Sequence, residues 1–91
     1  MAWLRYSGII NVKKKDMKRV KVAVEGFPIP EFFLECEGFL LIDGIYPDVT
    51  RELRLVLQKL KEEKVGLKGG IQIGAAHIRD ISDWAGEEIR L

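Results

Sequence analysis

Along the first dozen residues, apolar and polar positions alternate. Leu4, Tyr6, Gly8, Ile10 and Val12 fall on one side of an extended chain, and Trp3, Arg5, Ser7, Ile9 and Asn11 fall on the other. This period of two predicts a strand over residues 3–12. Residues 19–25 repeat the pattern, with Val20, Val22 and Val24 against Arg19, Lys21 and Ala23, and the β-branched content supports a second strand. Lys14 to Lys18 then form a hairpin tip. The stretch Gly26-Phe27-Pro28-Ile29-Pro30 interrupts the pattern, because proline removes a ladder donor and pushes the residue before it out of helical geometry. A third strand is expected over residues 31–42. It either runs on through Gly38 with a kink or turns back at Glu37-Gly38 as a further hairpin.

Folding the second strand onto the third places Val24, Val22 and Val20 opposite Phe32, Leu34 and Cys36 on one face. On the other face Lys21 lies opposite Glu35 and Arg19 opposite Glu37. A one-residue slip would turn every valine to the wrong side, so hydrophobic pattern and charge select the same register.

Beyond Tyr46-Pro47-Asp48 the period changes. Val49, Leu53, Val56 and Leu60 recur at helical spacing with Leu57 beside them. With Asp48 as N-cap and Gly66 as stop, they predict an amphipathic helix over residues 49–64. Leu55 lies off the apolar stripe and is expected to be exposed. Ile71, Ile73 and Ala75 predict a strand over residues 70–76. The remainder reads as irregular or partly helical on the spacing of Ile78, Ile81, Ala85 and Ile89, with Glu87 to Leu91 as a short last strand in the other reading. The fold class is therefore α+β: an antiparallel sheet of four or five strands with one main helix, in a single domain spanning residues 1–91. Antiparallel strands with glycine kinks also fit a small OB-like barrel.

Composition narrows the function classes. A chain of 91 residues, 47 % of them apolar, buries about 60–65 % of its unfolded surface and makes one small core. The sequence holds no uninterrupted apolar run of membrane-spanning length and no basic-then-apolar leader, so the expected compartment is the cytoplasm. Charged residues make up 32 % of the chain while amides are scarce, a balance resembling that of hyperthermophile, archaeal-like proteins. Cys36 is the only cysteine and His77 the only histidine, which argues against a disulfide framework and a zinc site.

No catalytic constellation emerges. His77 with Asp80 and Asp83 lacks a nucleophile motif, and Gly69-Gly70-Ile71-Gln72-Ile73-Gly74 opens a strand where phosphate loops open a helix. Glu35 and Glu37 share a strand face as a cation site requires, but Lys21 and Arg19 are simpler partners for them. Cys36 is expected in the core. No enzyme, cofactor, metal or small-molecule substrate is expected.

Charge sorting points elsewhere. Residues 1–24 carry Arg5, Lys13, Lys14, Lys15, Lys18, Arg19 and Lys21 against Asp16, a net of +6; residues 25–48 carry six carboxylates and no base, a net of −6. The hairpin pairing accounts for most of this. It leaves Lys13, Lys14, Lys15, Lys18 and Arg19 as candidate nucleic-acid contacts, with Trp3, Tyr6 or Trp84 available for stacking. The same cluster also suits a solvated tip that discourages aggregation. In the expected register Ile9, Ala23 and Phe33 form an apolar row on the outer sheet face, near Trp3, Phe39 and Leu41. A single helix covers only one face, so the C-terminal segment with Ile78, Ile81, Trp84 and Ile89 covers the other, or a second subunit does. In the second case the chain is a homodimeric interaction module with Trp3, Ile9, Phe33, Phe39, Leu41 and Leu55 as interface candidates.

Overall fold

The computed structural model describes residues 3–75 and 87–91. In chain order the elements are β1 (Trp3–Val12), a 3-10 turn (Lys14–Asp16), α1 (Met17–Glu25), β2 (Leu34–Cys36), β3 (Phe39–Pro47), α2 (Thr50–Glu62), β4 (Leu67–Ala75) and β5 (Glu87–Arg90). All five strands join one open sheet in the order β2-β3-β1-β4-β5, and every neighbouring pair is antiparallel. The α+β class with one antiparallel sheet is thus what the sequence pattern predicts.

Two elements differ from the pattern. Residues 19–25 are helix, not strand. Met17, Val20, Val24 and Phe27 also stand at helical spacing, which Val22 does not share. In α1, Val20 is fully buried, Met17, Ala23 and Val24 pack against the core, and Val22 points outward at 69 % exposure. A strand here would have to bury Val22 beside the other two valines; a helix buries the 17-20-24 stripe and leaves Lys18, Lys21 and Val22 in water. Lys14 to Lys18 are accordingly the 3-10 turn and the first turn of α1, with no hairpin tip. The expected hairpins of residues 19–25 with residues 3–12 and 31–42 do not form. The chain also ends as strand β5, with Ile89 opposite Ile71, where the helical spacing favours an irregular or partly helical end. His77, Asp80, Asp83 and Trp84 lie outside the described residues.

Of the two readings of residues 31–42, the hairpin is the one adopted. β2 begins at Leu34, and Glu37-Gly38 turns the chain so that Cys36 pairs with Phe39 and Leu34 with Leu41. Gly38 takes φ 84°, which a glycine adopts at no steric cost. The strand therefore does not run through the glycine; β3 is a separate nine-residue strand reaching Pro47.

β1 sits at the sheet centre between β3 and β4. The units β1-α1-β2 and β3-α2-β4 each skip one strand, and the two interleave. This is the split β-α-β, ferredoxin-like arrangement, here with β5 added at an edge. Between β1 and β4 the backbones approach closely at Gly69, where φ is 119° and a Cβ would stand 2.1 Å from the Ile9 carbonyl oxygen; only glycine fits there.

Both helices pack against the inner sheet face. Tyr6, Ile10 and Val12 of β1, Leu40 and Ile42 of β3, Ile71 and Ile73 of β4 and Ile89 of β5 meet Val20 of α1 and Leu53, Leu57 and Leu60 of α2. An aromatic group closes the end of this core: Phe32 lies 5.0 Å from Tyr6, 4.8 Å from Phe27 and 5.1 Å from Tyr46 between ring centroids.

Helix α2 starts one residue later than the sequence predicts, with Val49 rather than Asp48 at the N-cap position, and its first N–H groups have two different acceptors. The Val49 N–H donates to the buried Tyr6 hydroxyl at 2.9 Å, and the Thr50 N–H donates to Asp48 Oδ1 at 3.1 Å. At its other end, the Lys64 N–H donates to the Lys61 carbonyl and the Val65 N–H to the Leu60 carbonyl. This is a Schellman ending with Lys64, rather than Gly66, in the left-handed conformation at φ 61°.

Candidate functional site

Two surfaces are left over once the core is built: the sheet face away from the helices, and the end of the molecule where β1 and α2 finish.

The outer face presents residues in rows across the strands. One row reads Leu34, Leu41, Ile9, Gly70 and Arg90; its neighbour reads Cys36, Phe39, Asn11 and Lys68; a third reads Asp43, Ser7, Gln72 and Glu88; Ile45, Arg5 and Gly74 follow, and then Trp3 beside Pro47. Leu34 is 59 %, Trp3 57 %, Ile9 47 % and Ile45 44 % exposed, while Leu41, Phe39 and Cys36 are half-buried. Apolar side chains thus form two groups on the β2-β3-β1 part of the face, Leu34-Leu41-Ile9 and Ile45 with Trp3, separated by the Ser7-Asp43 row, and further charged groups lie toward β4 and β5. Arg5 and Asp43 meet on this face at 3.5 Å, and Arg90 and Glu88 at 3.2 Å.

Four of the six interface candidates, Trp3, Ile9, Phe39 and Leu41, are brought onto this one face. Phe33 is not among them, because the row with Ile9 and Ala23 depended on a strand at residues 19–25. Ala23 belongs to α1, and the Phe33 ring packs 5.1 Å from Phe27 and 4.9 Å from Phe32. Leu55 is exposed on α2, on the other side of the sheet from these rows. Cys36, expected in the core, sits half-buried on the outer face opposite Phe39. Leu34 and Ile45 belong to the face although neither was a candidate. Leu34 was assigned to the inner side by the wrong register, and only the turn at Gly38 reverses it. Of the segment expected to cover the face, Ile89 is buried on the helix side; Ile78, Ile81 and Trp84 lie outside the described residues.

The lysine cluster is dispersed in its bonding. Lys14 pairs with Glu37, and Lys21 reaches Glu35 at 3.7 Å from α1; the latter contact joins helix to strand rather than two strands. Arg19 does not meet Glu37. Its guanidinium donates to the Glu63 carbonyl at 2.7 Å and stands 3.7 Å from the buried Asp16 carboxylate. Lys13, Lys15 and Lys18 are exposed, and no ion pair involves them among the described residues. Of the stacking candidates, Tyr6 is fully buried, and Trp3 is at the opposite end of β1. Glu35 and Glu37 have these lysine partners, and among the described residues no three His, Cys, Asp or Glu side chains gather to hold a metal ion. Also among the described residues, no helix is long and apolar enough to cross a membrane.

Two carboxyl and phenol groups are shifted. Burial, with Glu31 and Asp43 nearby, raises the Tyr46 phenol above its ordinary value. The Thr50 backbone N–H, helped by the Thr50 hydroxyl, lowers the Asp48 carboxyl. Tyr46 belongs to the aromatic end of the core, and Asp48 to the start of α2, where it lines a shallow groove with Thr50, Arg51 and Leu55.

Compared with protein-family models, curated proteins and solved structures, the chain matches none.

Proposed function

We propose that the protein is a non-enzymatic interaction module that self-associates face to face through its open sheet. The observation that carries this reading is the one-sided placement of the helices, which leaves Leu34, Ile9, Ile45 and Trp3 exposed on one sheet face, in two apolar groups on either side of the Ser7-Asp43 row. A patch of this kind on a small domain marks a contact surface.

Three features favour a second copy as the occupant. First, the face carries Arg5, Lys68 and Arg90 against Asp43 and Glu88, so two identical faces meet without strong like-charge repulsion and can exchange partners about a twofold axis. Secondly, the two outermost strands offer little for strand addition: β2 has three residues and β5 four, and short strands with charged side chains resist it. Thirdly, strands about 4.8 Å apart rising about 3.3 Å per residue make a face of roughly 500 Å². Two such faces bury about 1,000 Å², the lower bound for a specific interface. Base stacking on the sheet is less suited to this face, since the middle of β1 and β3 offers Ser7, Ile9, Leu41 and Asp43 in place of aromatic rings. Size-exclusion chromatography with light scattering is expected to give twice the chain mass at high micromolar concentration. A monomer under those conditions would overturn the reading.

A further inference from the structure

The fold collects lysines from both halves of the chain at one end of the molecule. β1 ends there and passes through Lys13 and Lys15 into α1, whose first turn holds Lys18. α2 ends there with Lys59 and Lys64, and β4 begins there with Lys68. The contacts that join these segments are specific. Arg19 donates to the Glu63 carbonyl, tying the start of α1 to the end of α2. Lys18 and Lys59 line one groove between the helices. The Lys13 chain runs alongside Gly66, and Asn11 pairs with Lys68.

Of the nearby carboxylates, Glu37 is paired with Lys14 and Asp16 with Arg19, Glu62 accepts from the Gln58 amide at 3.3 Å, and Glu63 lines the groove of Lys18 and Lys59. Lys13, Lys15, Lys18, Lys59, Lys64 and Lys68 are all exposed and have no ion pair among the described residues. Lys64 adds an independent observation. It holds the left-handed conformation that ends α2, a place where glycine is favoured and a lysine is strained. A charge is kept there at a conformational cost.

We propose that this basic end binds the phosphate backbone of a nucleic-acid duplex. Six ammonium groups spread over the corners of β1-α1 and α2-β4 suit a regular row of phosphates, which lysine meets as a point charge. A single strand held by stacked bases would need exposed rings beside the lysines. Trp3, the exposed aromatic of β1, stands at the far end of that strand, about 30 Å away at 3.3 Å per residue.

The test is fluorescence anisotropy of the full chain with a labelled DNA duplex, an RNA duplex, a single strand of each, and, in a sedimentation arm, phosphatidylserine vesicles. Binding to one or both duplexes is expected at low salt. With about five phosphates neutralised, affinity falls roughly 10²–10³-fold between about 50 and 200 mM salt. Lys13→Gln/Lys15→Gln/Lys18→Gln and Lys64→Gly are each expected to weaken duplex binding at least several-fold. Lys64→Gly raises the melting temperature at the same time, so its loss of binding does not come from unfolding. The DNA and RNA arms distinguish which duplex is bound. Absence of duplex binding at low salt, tighter binding to single strands, binding to vesicles alone, or full affinity in both variants would each overturn the proposal.

Discussion

Tyr6 shows how much one hydroxyl does here. Its ring is fully buried in the core, and its oxygen accepts the Val49 N–H at the start of α2 while standing 3.4 Å from the Thr50 hydroxyl. A strand residue thereby performs part of a helix cap. Tyr6→Phe keeps the packing and leaves a buried donor without an acceptor, so a loss of about 1–3 kcal/mol is expected from urea denaturation, with an unchanged slope. Asp48 holds the adjoining Thr50 N–H, and this bond lowers its carboxyl from the ordinary value of about 4. The stabilisation is present above that value and is lost as pH falls through the lower, folded-state value. Asp48→Asn retains an acceptor without the charge. Its melting temperature is expected to lie below that of the parent at neutral pH and to converge with it under acid conditions; a constant gap across that range would show that the charge is not involved.

At the scale of elements, the instructive segment is residues 17–25. Val20 and Val24 satisfy two periods at once and Val22 only the strand's, and β-branched residues favour the strand reading. The helix prevails because β1 already has two partners, β3 and β4, and the connection to β2 must pack somewhere apolar. Val22 separates the two readings experimentally. At 69 % exposure on a helix, Val22→Ala is expected to stabilise the protein by about 0.5 kcal/mol through helix propensity. In a buried strand the same change would destabilise it. Other elements were more legible. The 3.6-residue spacing of Leu53, Val56, Leu57 and Leu60 admits no strand, and the period of two through Leu4, Tyr6, Ile10 and Val12 favours a strand. Of the two expected charge pairs one forms: Lys21 meets Glu35, through a helix-to-strand contact that strand arithmetic does not contain, whereas Arg19 stands by Asp16 and Glu37 pairs with Lys14.

At the scale of the molecule, the two candidate surfaces share Lys68 and are otherwise distinct and separately testable. Ile9→Glu/Leu34→Glu places four like charges across the middle of a face-to-face dimer. It is expected to halve the mass seen by light scattering while leaving the far-UV circular dichroism unchanged. The same variant is expected to keep its melting temperature within a few degrees of the parent monomer's, since both side chains are largely exposed. Four interface candidates were visible in the alternation of β1 and in Phe39 and Leu41. Leu34 and Ile45 were not, because their facing follows from the turn at Gly38 and from the length of β3. Lys59, Lys64 and Lys68 escaped notice for a different reason: they stand some forty residues or more from the lysine cluster in sequence, and only the return of α2 and β4 to the end of β1 brings them near.

The amino-acid sequence by itself determined the class of the fold, the first strand, the main helix and the presence of unneutralised lysines near residue 15. These are local properties, set by the period with which apolar residues recur and by charges close together in the chain. The tertiary structure decided which period residues 17–25 obey, that β1 pairs with β3 and β4, which sheet face stays bare, and which distant lysines share an end. Each of these choices depends on competition among segments for the same apolar partners, and that competition is resolved only when the whole core is assembled.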